Sequence, residues 1–270
     1  MHPLDLYELC VQTPRSAVAM LRAAHAGRPL VLREDFCGTA AVSRRWVAEG
    51  LARGELARAV ATDLDPPTLA HARAAAAREG LLERIELHTL DSIRAEVETT
   101  DDADVVYVGN FSLAEIHDED LLSAYLKRTR RRLAMGNHGL GGGVFVCDMT
   151  GGPAAYQPLE IMREHHTRAR ETVRYVWRHE AGDPATHRVR NSISFHLTTS
   201  DGATHDLHRA FVYEWRLWPL DTLERALLRA GFISIEVYPH VGLAPGQAPL
   251  PIRPTDLPED WVCYLVGRTP

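Results

Sequence analysis

Apolar residues recur at helical intervals from position 4 to position 26, with Leu6, Leu9, Cys10, Val18, Leu21 and Ala24 in register and Pro14 interrupting, which predicts two short helices. From Pro29 the pattern changes to short apolar runs, each followed by a helical stretch. Leu30-Val31-Leu32 reads as a buried strand, Gly38-Thr39 as a turn and 40–51 as a helix. The unit repeats at 58–62 with 67–79, at 85–89, at 104–108 with 120–133, and at 143–147. Strands that alternate with helices in this way predict a parallel sheet covered on both faces.

Beyond Asp148 the pattern becomes antiparallel. Runs 171–179, 188–198 and 204–216 are aromatic and β-branched, and they are joined by Gly182-Asp183-Pro184 and by Asp201-Gly202, a hairpin signal. The helical pattern returns over 220–230 and is closed by Gly231, after which 233–238 and 261–267 read as strands around a loop, 242–258, rich in proline and glycine.

Composition narrows the partners. The 270 residues are 45% hydrophobic and 24% charged, ordinary for one globular unit, and the net charge of -6 gives no field that favours nucleic acid or an anionic membrane. Arginine-rich stretches at 127–132 and 163–178 read as solvated faces. Cys10, Cys37, Cys147 and Cys263 form no paired motif and read as reduced, buried thiols. No window approaches the length of a membrane span, so the expected location is the cytoplasm. His165-His166 do not suggest a metal site, because neighbours in a strand point to opposite sides.

In an open parallel sheet ligands gather at the carboxyl ends of the strands, and here those ends are acidic or polar. Strand one ends in Glu34-Asp35-Phe36-Cys37-Gly38-Thr39-Ala40, strand two in Asp63, strand three in Asp91-Ser92, strand four in Asn110-Phe111-Ser112 and strand five in Asp148. The segment 34–40 resembles the E/D-x-G-C-G-T-G motif of class I S-adenosylmethionine-dependent methyltransferases, with Phe36 and Ala40 in place of its first and last glycines. Val60 to Asp65, Leu90-Asp91-Ser92, 104–112 and 218–237 resemble the later motifs of that family in the same order.

The resemblance implies an α/β fold: a Rossmann-like, doubly wound, seven-stranded, mostly parallel sheet with an antiparallel β insert after strand five. It divides the chain into a helical cap (1–28), a cofactor-binding core (29–150), an insert or lid facing the acceptor (151–217) and a completion of the core sheet (218–270). It also implies S-adenosyl-L-methionine as cofactor. Glu34 would lie near its methionine end, Cys37, Gly38 and Thr39 would form the turn beside it, and Asp63 would bind the ribose with Leu64 on the adenine face. Asp91 and Ser92 would meet the adenine amine, Asn110 and Phe111 the methionine portion, and Tyr7 would cap the pocket. A phenylalanine at position 36 must turn its ring away from the cofactor.

Methyl transfer needs alignment more than acid-base machinery, yet an amine must be neutral and a hydroxyl benefits from a base. Glu115, His117 and Asp148 are the candidates, while His165, His166, Tyr175, Trp177, Tyr213 and Trp215 are the insert residues expected near the acceptor. The acceptor is expected to be a small molecule, and a homo-oligomer is compatible with the composition. A nicotinamide oxidoreductase would want G-x-G-x-x-G, of which positions 36, 38 and 41 keep one glycine. A cofactor-binding scaffold without turnover is the remaining alternative. An amino methylator of nucleic acid would want N-P-P-Y where the chain has Asn110-Phe111-Ser112, and the acidic balance argues against it.

Overall fold

The computed structural model describes residues 1–25, 27–95, 102–136, 141–167, 169–240 and 249–270. Ala26, at the end of the first predicted helical segment, and the first part of the proline- and glycine-rich loop lie outside the described residues. The seven-stranded sheet comprises β1 (Val31–Asp35), β2 (Arg58–Asp63), β3 (Ile85–Thr89), β4 (Val105–Val108), β5 (Val144–Gly151), β10 (Ser234–Pro239) and β11 (Trp261–Arg268). Its order is β10-β11-β5-β4-β1-β2-β3, with β11 antiparallel to both of its neighbours.

Both faces of that sheet are covered, which is why β4 and the first four residues of β5 are continuous apolar runs. Val105, Tyr107, Val144 and Val146 face α2 (Pro14–His25) and α3 (Ala41–Ala52), where Trp46 is fully buried. Val106, Val108, Phe145 and Cys147 face α5 (Glu119–Arg132) and α6 (Leu220–Ala230). Helix α4 (Pro66–Arg78) is started by Asp65, whose carboxylate accepts from Thr68 N–H at 2.9 Å. The first helix, α1 (Pro3–Cys10), belongs to neither layer.

A second, four-stranded antiparallel sheet follows β5 in the order β6-β7-β8-β9: β6 (Leu159–His166), β7 (Thr172–His179), β8 (Arg188–Thr198) and β9 (Thr204–Arg216). The sequence pattern does not announce β6, an edge strand whose residues are mostly exposed and show no alternation. Strand β5 also runs to Gly151, past its expected end at 147, because β11 pairs with it through Trp261 and Gly151. The covered face of the second sheet packs Val173, Tyr175, Ile193, Phe195 and Leu197 against Leu6 and Cys10 of α1. Its other face carries ion pairs such as Arg178 with Glu160 and Arg174 with Glu164.

Candidate active site

Strand β1 is bordered by β2 on one side and β4 on the other, so the connections reverse beside it and a crevice opens at the carboxyl ends. The turn after β1 holds Phe36, Gly38 and Ala40 at φ of 56°, 53° and 54°. The left-handed backbone of a glycine-rich turn is thus kept with only one glycine. Phe36 turns its ring away from the crevice and packs on Tyr125 at 6.2 Å between centroids. A Cβ on Gly38 would meet nothing nearer than Gln12 Nε2 at 4.0 Å, so the bare backbone borders open space.

Gly38 N–H donates to Asp63 Oδ2 at 2.8 Å, and Asp65 N–H donates to Asp63 Oδ1 at 3.0 Å. The carboxylate that ends β2 is therefore held in one orientation, with further lone pairs available. Its neighbour Leu64 is 67% exposed, an apolar side chain left open to solvent. Glu34 is buried and accepts from Ser43 N–H at 2.8 Å and Ser43 Oγ at 2.5 Å. Burial pushes its pKa up to about 7, against the opposing pull of the Ser43 hydrogen bonds.

The side chains of Cys37 and Thr39 point into the protein. Cys37 is buried against Leu69 and Ala72 of α4, and Thr39 donates its hydroxyl to Gln12 Oε1 at 3.1 Å, so both offer the crevice only backbone. Gln12, in the turn between α1 and α2, was not singled out by the sequence. An isolated glutamine between two helices carries no signal, and only the tertiary contact with Thr39 reveals it.

Asp91 caps its own turn: Oδ1 accepts from Ile93 N–H at 2.9 Å and Arg94 N–H at 3.2 Å, and Oδ2 pairs with the Arg94 guanidinium at 3.1 Å. Ser92 is buried and its hydroxyl lies 2.8 Å from Thr62 Oγ1. After β4, Asn110 and Phe111 adopt φ of 54° and 61°, and their N–H groups both reach Asp148, at 3.0 and 2.7 Å. A Cβ on Gly109 would collide with the Tyr107 hydroxyl at 2.5 Å and its ring at 2.6 Å, so that turn requires glycine. Burial raises the Asp148 pKa, while the Phe111 amide, the His240 charge and the Asn110 amide oppose the rise. Asp148 is thus committed to shaping the turn.

Glu115 is half-buried, accepts from Trp215 Nε1 at 2.7 Å, and has a pKa raised by burial. Trp215 packs edge-on to Phe111 at 5.8 Å and lies 5.1 Å from the Tyr213 ring. Tyr7 reaches this cluster from α1, with its ring 4.9 Å from Phe211 and its hydroxyl hydrogen-bonded to Tyr213. Burial pushes the Tyr7 pKa to about 12, the Tyr213 hydrogen bond lowers it, and the charges of Asp148, Asp63 and Glu115 raise it. Tyr7 therefore sits within the field of acids on both sides of the crevice.

His117, expected as a base, has another role. Its Nε2 faces the Glu214 carbonyl at 2.6 Å, which can only accept, so Nε2 carries the proton and Nδ1 accepts from Arg188 Nη1 at 2.6 Å. Arg216 adds a bond to the His117 carbonyl at 2.9 Å. With both ring nitrogens engaged, His117 fastens the second sheet to the first and has no lone pair for a substrate. The insert histidines 165 and 166 lie on the outer strand β6, away from Tyr213 and Trp215 on β9.

No family model and no curated protein matches this chain. Solved structures do. An S-adenosylmethionine-dependent methyltransferase from Clostridium acetobutylicum superposes with a TM-score of 0.66 at 16% identity, covering 98% of this chain and 96% of that one. DesVI from Streptomyces venezuelae gives 0.67 at 16% identity over 95% and 90% of the two chains. The sugar N-methyltransferase KedS8 from Streptoalloteichus gives 0.65 at 19% identity over 97% and 90%. The chain has their fold along nearly its whole length, four-stranded sheet included.

Proposed function

We propose that the protein transfers a methyl group from S-adenosylmethionine to nitrogen or oxygen of a small-molecule acceptor. The observation that carries this reading is the Asp63 carboxylate, oriented by the Gly38 amide beside a turn whose backbone borders open space. These residues fit the cofactor: Asp63 accepts from the ribose hydroxyls, Leu64 covers the adenine, and the free lone pairs of Asp91 with the Ser92 amide meet its amine. Gly38 lets the chain pass close to the sulfonium side, and Asn110 and Phe111 border the methionine portion. The left-handed backbone at Phe36 and Ala40 removes the main argument for a scaffold without turnover, since both substitutions leave the turn as glycine would shape it.

Bound S-adenosylmethionine supplies an electrophilic methyl group on a positively charged sulfur. The chain's part is to hold the acceptor in line with it and to exclude water. Tyr7, Tyr213 and Trp215 form the acceptor side, and the second sheet acts as a lid over the crevice. Glu115 takes the proton of the acceptor, because Trp215 orients one of its oxygens and leaves the other available. Neighbours of this fold include a sugar N-methyltransferase, an amino pentose methyltransferase and a glycopeptide N-methyltransferase, which supports an acceptor of small or moderate size. We place the activity in the cytoplasm; among the described residues no helix is long and apolar enough to cross a membrane.

The test is calorimetric titration with S-adenosylmethionine and S-adenosylhomocysteine beside Asp63→Ala. Micromolar binding, weakened about a hundredfold in the variant, is expected from the loss of charged hydrogen bonds. A folded wild-type protein that gives neither heat nor a thermal shift with either ligand would overturn the reading.

A further inference from the structure

The side of β1 that faces α5 carries charge where a doubly covered sheet would carry aliphatic residues. Arg33 and Asp35 are both fully buried, with Arg33 Nε 2.8 Å from Asp35 Oδ1, and the fully buried Arg132 of α5 lies 3.5 Å from Asp35 Oδ2. Burying ionic groups is costly compared with a hydrophobic core of the same volume, and what such groups add is a defined geometry.

That geometry leads to the pocket. Tyr125 OH donates to Asp35 Oδ2 at 2.9 Å, and Thr62 Oγ1 donates to Asp35 Oδ1 at 2.9 Å. Thr62 has one hydroxyl proton, and the carboxylate takes it, so at the 2.8 Å contact between Thr62 Oγ1 and Ser92 Oγ the serine is the donor. The chain runs one way: Ser92 to Thr62 to Asp35, with Tyr125 closing on the far oxygen. Arg128, one turn along α5 from Tyr125, adds a bond to the Ile93 carbonyl. A single face of α5 thereby holds the end of β1, through Asp35, and the turn after β3, which carries the proposed adenine contacts.

We propose that Tyr125, acting through Asp35, Thr62 and Ser92, is a positioning residue that holds the turn after β3, which meets the adenine of the methyl donor, in place against β1 and β2. The inference rests on the S-adenosylmethionine reading. It assigns no contact between Tyr125 and the ligand. Removing the tyrosine hydroxyl leaves Asp35 Oδ2, among the described residues, only the 3.5 Å contact with Arg132, so the carboxylate can turn and the Ser92 turn with it, and adenosine binding weakens while the methionine side of the pocket stays intact.

The experiment titrates wild type, Tyr125→Phe and Thr62→Val with S-adenosylhomocysteine and with 5′-methylthioadenosine, which carries adenine and ribose without the amino acid. Each variant is expected to weaken both ligands by the same factor, about tenfold. Leu227→Ala, in the hydrophobic layer between α5 and α6, serves as a control of comparable destabilisation and should bind both ligands as wild type does. Variants that bind as tightly as wild type, or a control that weakens as much as they do, would overturn the positioning role. Should Tyr125→Phe not fold, Thr62→Val alone decides. A wild-type protein that binds neither ligand would instead remove the methyl-donor reading and this inference with it.

Discussion

The two sheets of this molecule arrange their polar groups in opposite ways. In the seven-stranded sheet both faces are covered, so polar side chains gather at the carboxyl ends, where carboxylates clasp backbone amides: Asp63 with Gly38, Asp148 with Asn110 and Phe111, Glu34 with Ser43. In the four-stranded sheet one face is solvated and the other packs on α1, and polar ties to the first sheet's loops are made by side chains from its rim. Trp215 reaches Glu115, Arg188 reaches His117, and Arg216 reaches Glu119 at 3.0 Å. The first arrangement builds rigid turns, each with a set backbone. The second builds a joint that one lost side chain can loosen.

Removing a clasp from the first sheet should therefore have the largest effect. Asp148→Ala leaves the N–H groups of Asn110 and Phe111 without their acceptor in a turn already held at positive φ, and a loss of about 4 kcal/mol in urea unfolding is expected. Asp148→Asn keeps one acceptor oxygen and should lose less. An alanine variant as stable as wild type would mean that the turn is held by its packing alone.

Glu34 sharpens the same point through pH. Burial raises its pKa from the ordinary 4.5 to about 7, so the folded chain holds the proton more tightly than the unfolded chain does. The resulting stabilisation is complete below pH 4.5 and disappears as pH rises through 7. Compared with Glu34→Gln, which keeps an acceptor for Ser43, wild type should lose about 3 kcal/mol across that window. A stability difference between the two proteins that stays constant with pH would show that Glu34 does not titrate there.

At the joint, Trp215→Phe retains a ring against Phe111 and Tyr213 but removes the donor to Glu115. The expected cost is about 1 to 2 kcal/mol, felt unevenly. Hydrogen exchange should quicken along β8 and β9 while β4 and β5 keep their protection. The Trp215 hydrogen bond lowers the Glu115 pKa, so without it the protonated form gains, and the base-dependent limb of the proposed methyl transfer should move to higher pH. Equal loosening of both sheets would mean that they unfold as one unit.

The same contrast explains what could be read from the sequence. The core strands and helices follow from runs of apolar residues whose length and spacing depend only on local geometry, and the acids at their ends mark the crevice without any knowledge of partners. What the sequence could not convey depends on contacts between distant segments. His117 looked like a base because nothing nearby in sequence reveals Arg188 or the Glu214 carbonyl, 71 and 97 positions away. Gln12 gave no signal, and β6 was hidden by its position at a solvated edge. Asp35 was visible within a charged run, but its role required Tyr125, 90 positions later.

The smallest effect should come from the turn after β1, where the two non-glycine residues at positive φ are predicted to respond in opposite directions. Ala40 sits at φ 54° just before α3 with no side-chain cap, so glycine there relieves a left-handed backbone penalty of roughly 1 to 2 kcal/mol and adds back some chain entropy. The net gain for Ala40→Gly is expected to be about 0.5 to 1 kcal/mol, with cofactor affinity unchanged, because the Ala40 side chain packs on Leu69 and Ala72 away from the crevice. Phe36→Gly relieves the same penalty but loses the ring that packs on Tyr125, so stability should fall by about 1 to 2 kcal/mol. Thermal unfolding of the two variants side by side checks the pair. If both stabilise, the Phe36 ring contributes no net packing, and the substitution of the first motif glycine has no structural explanation here.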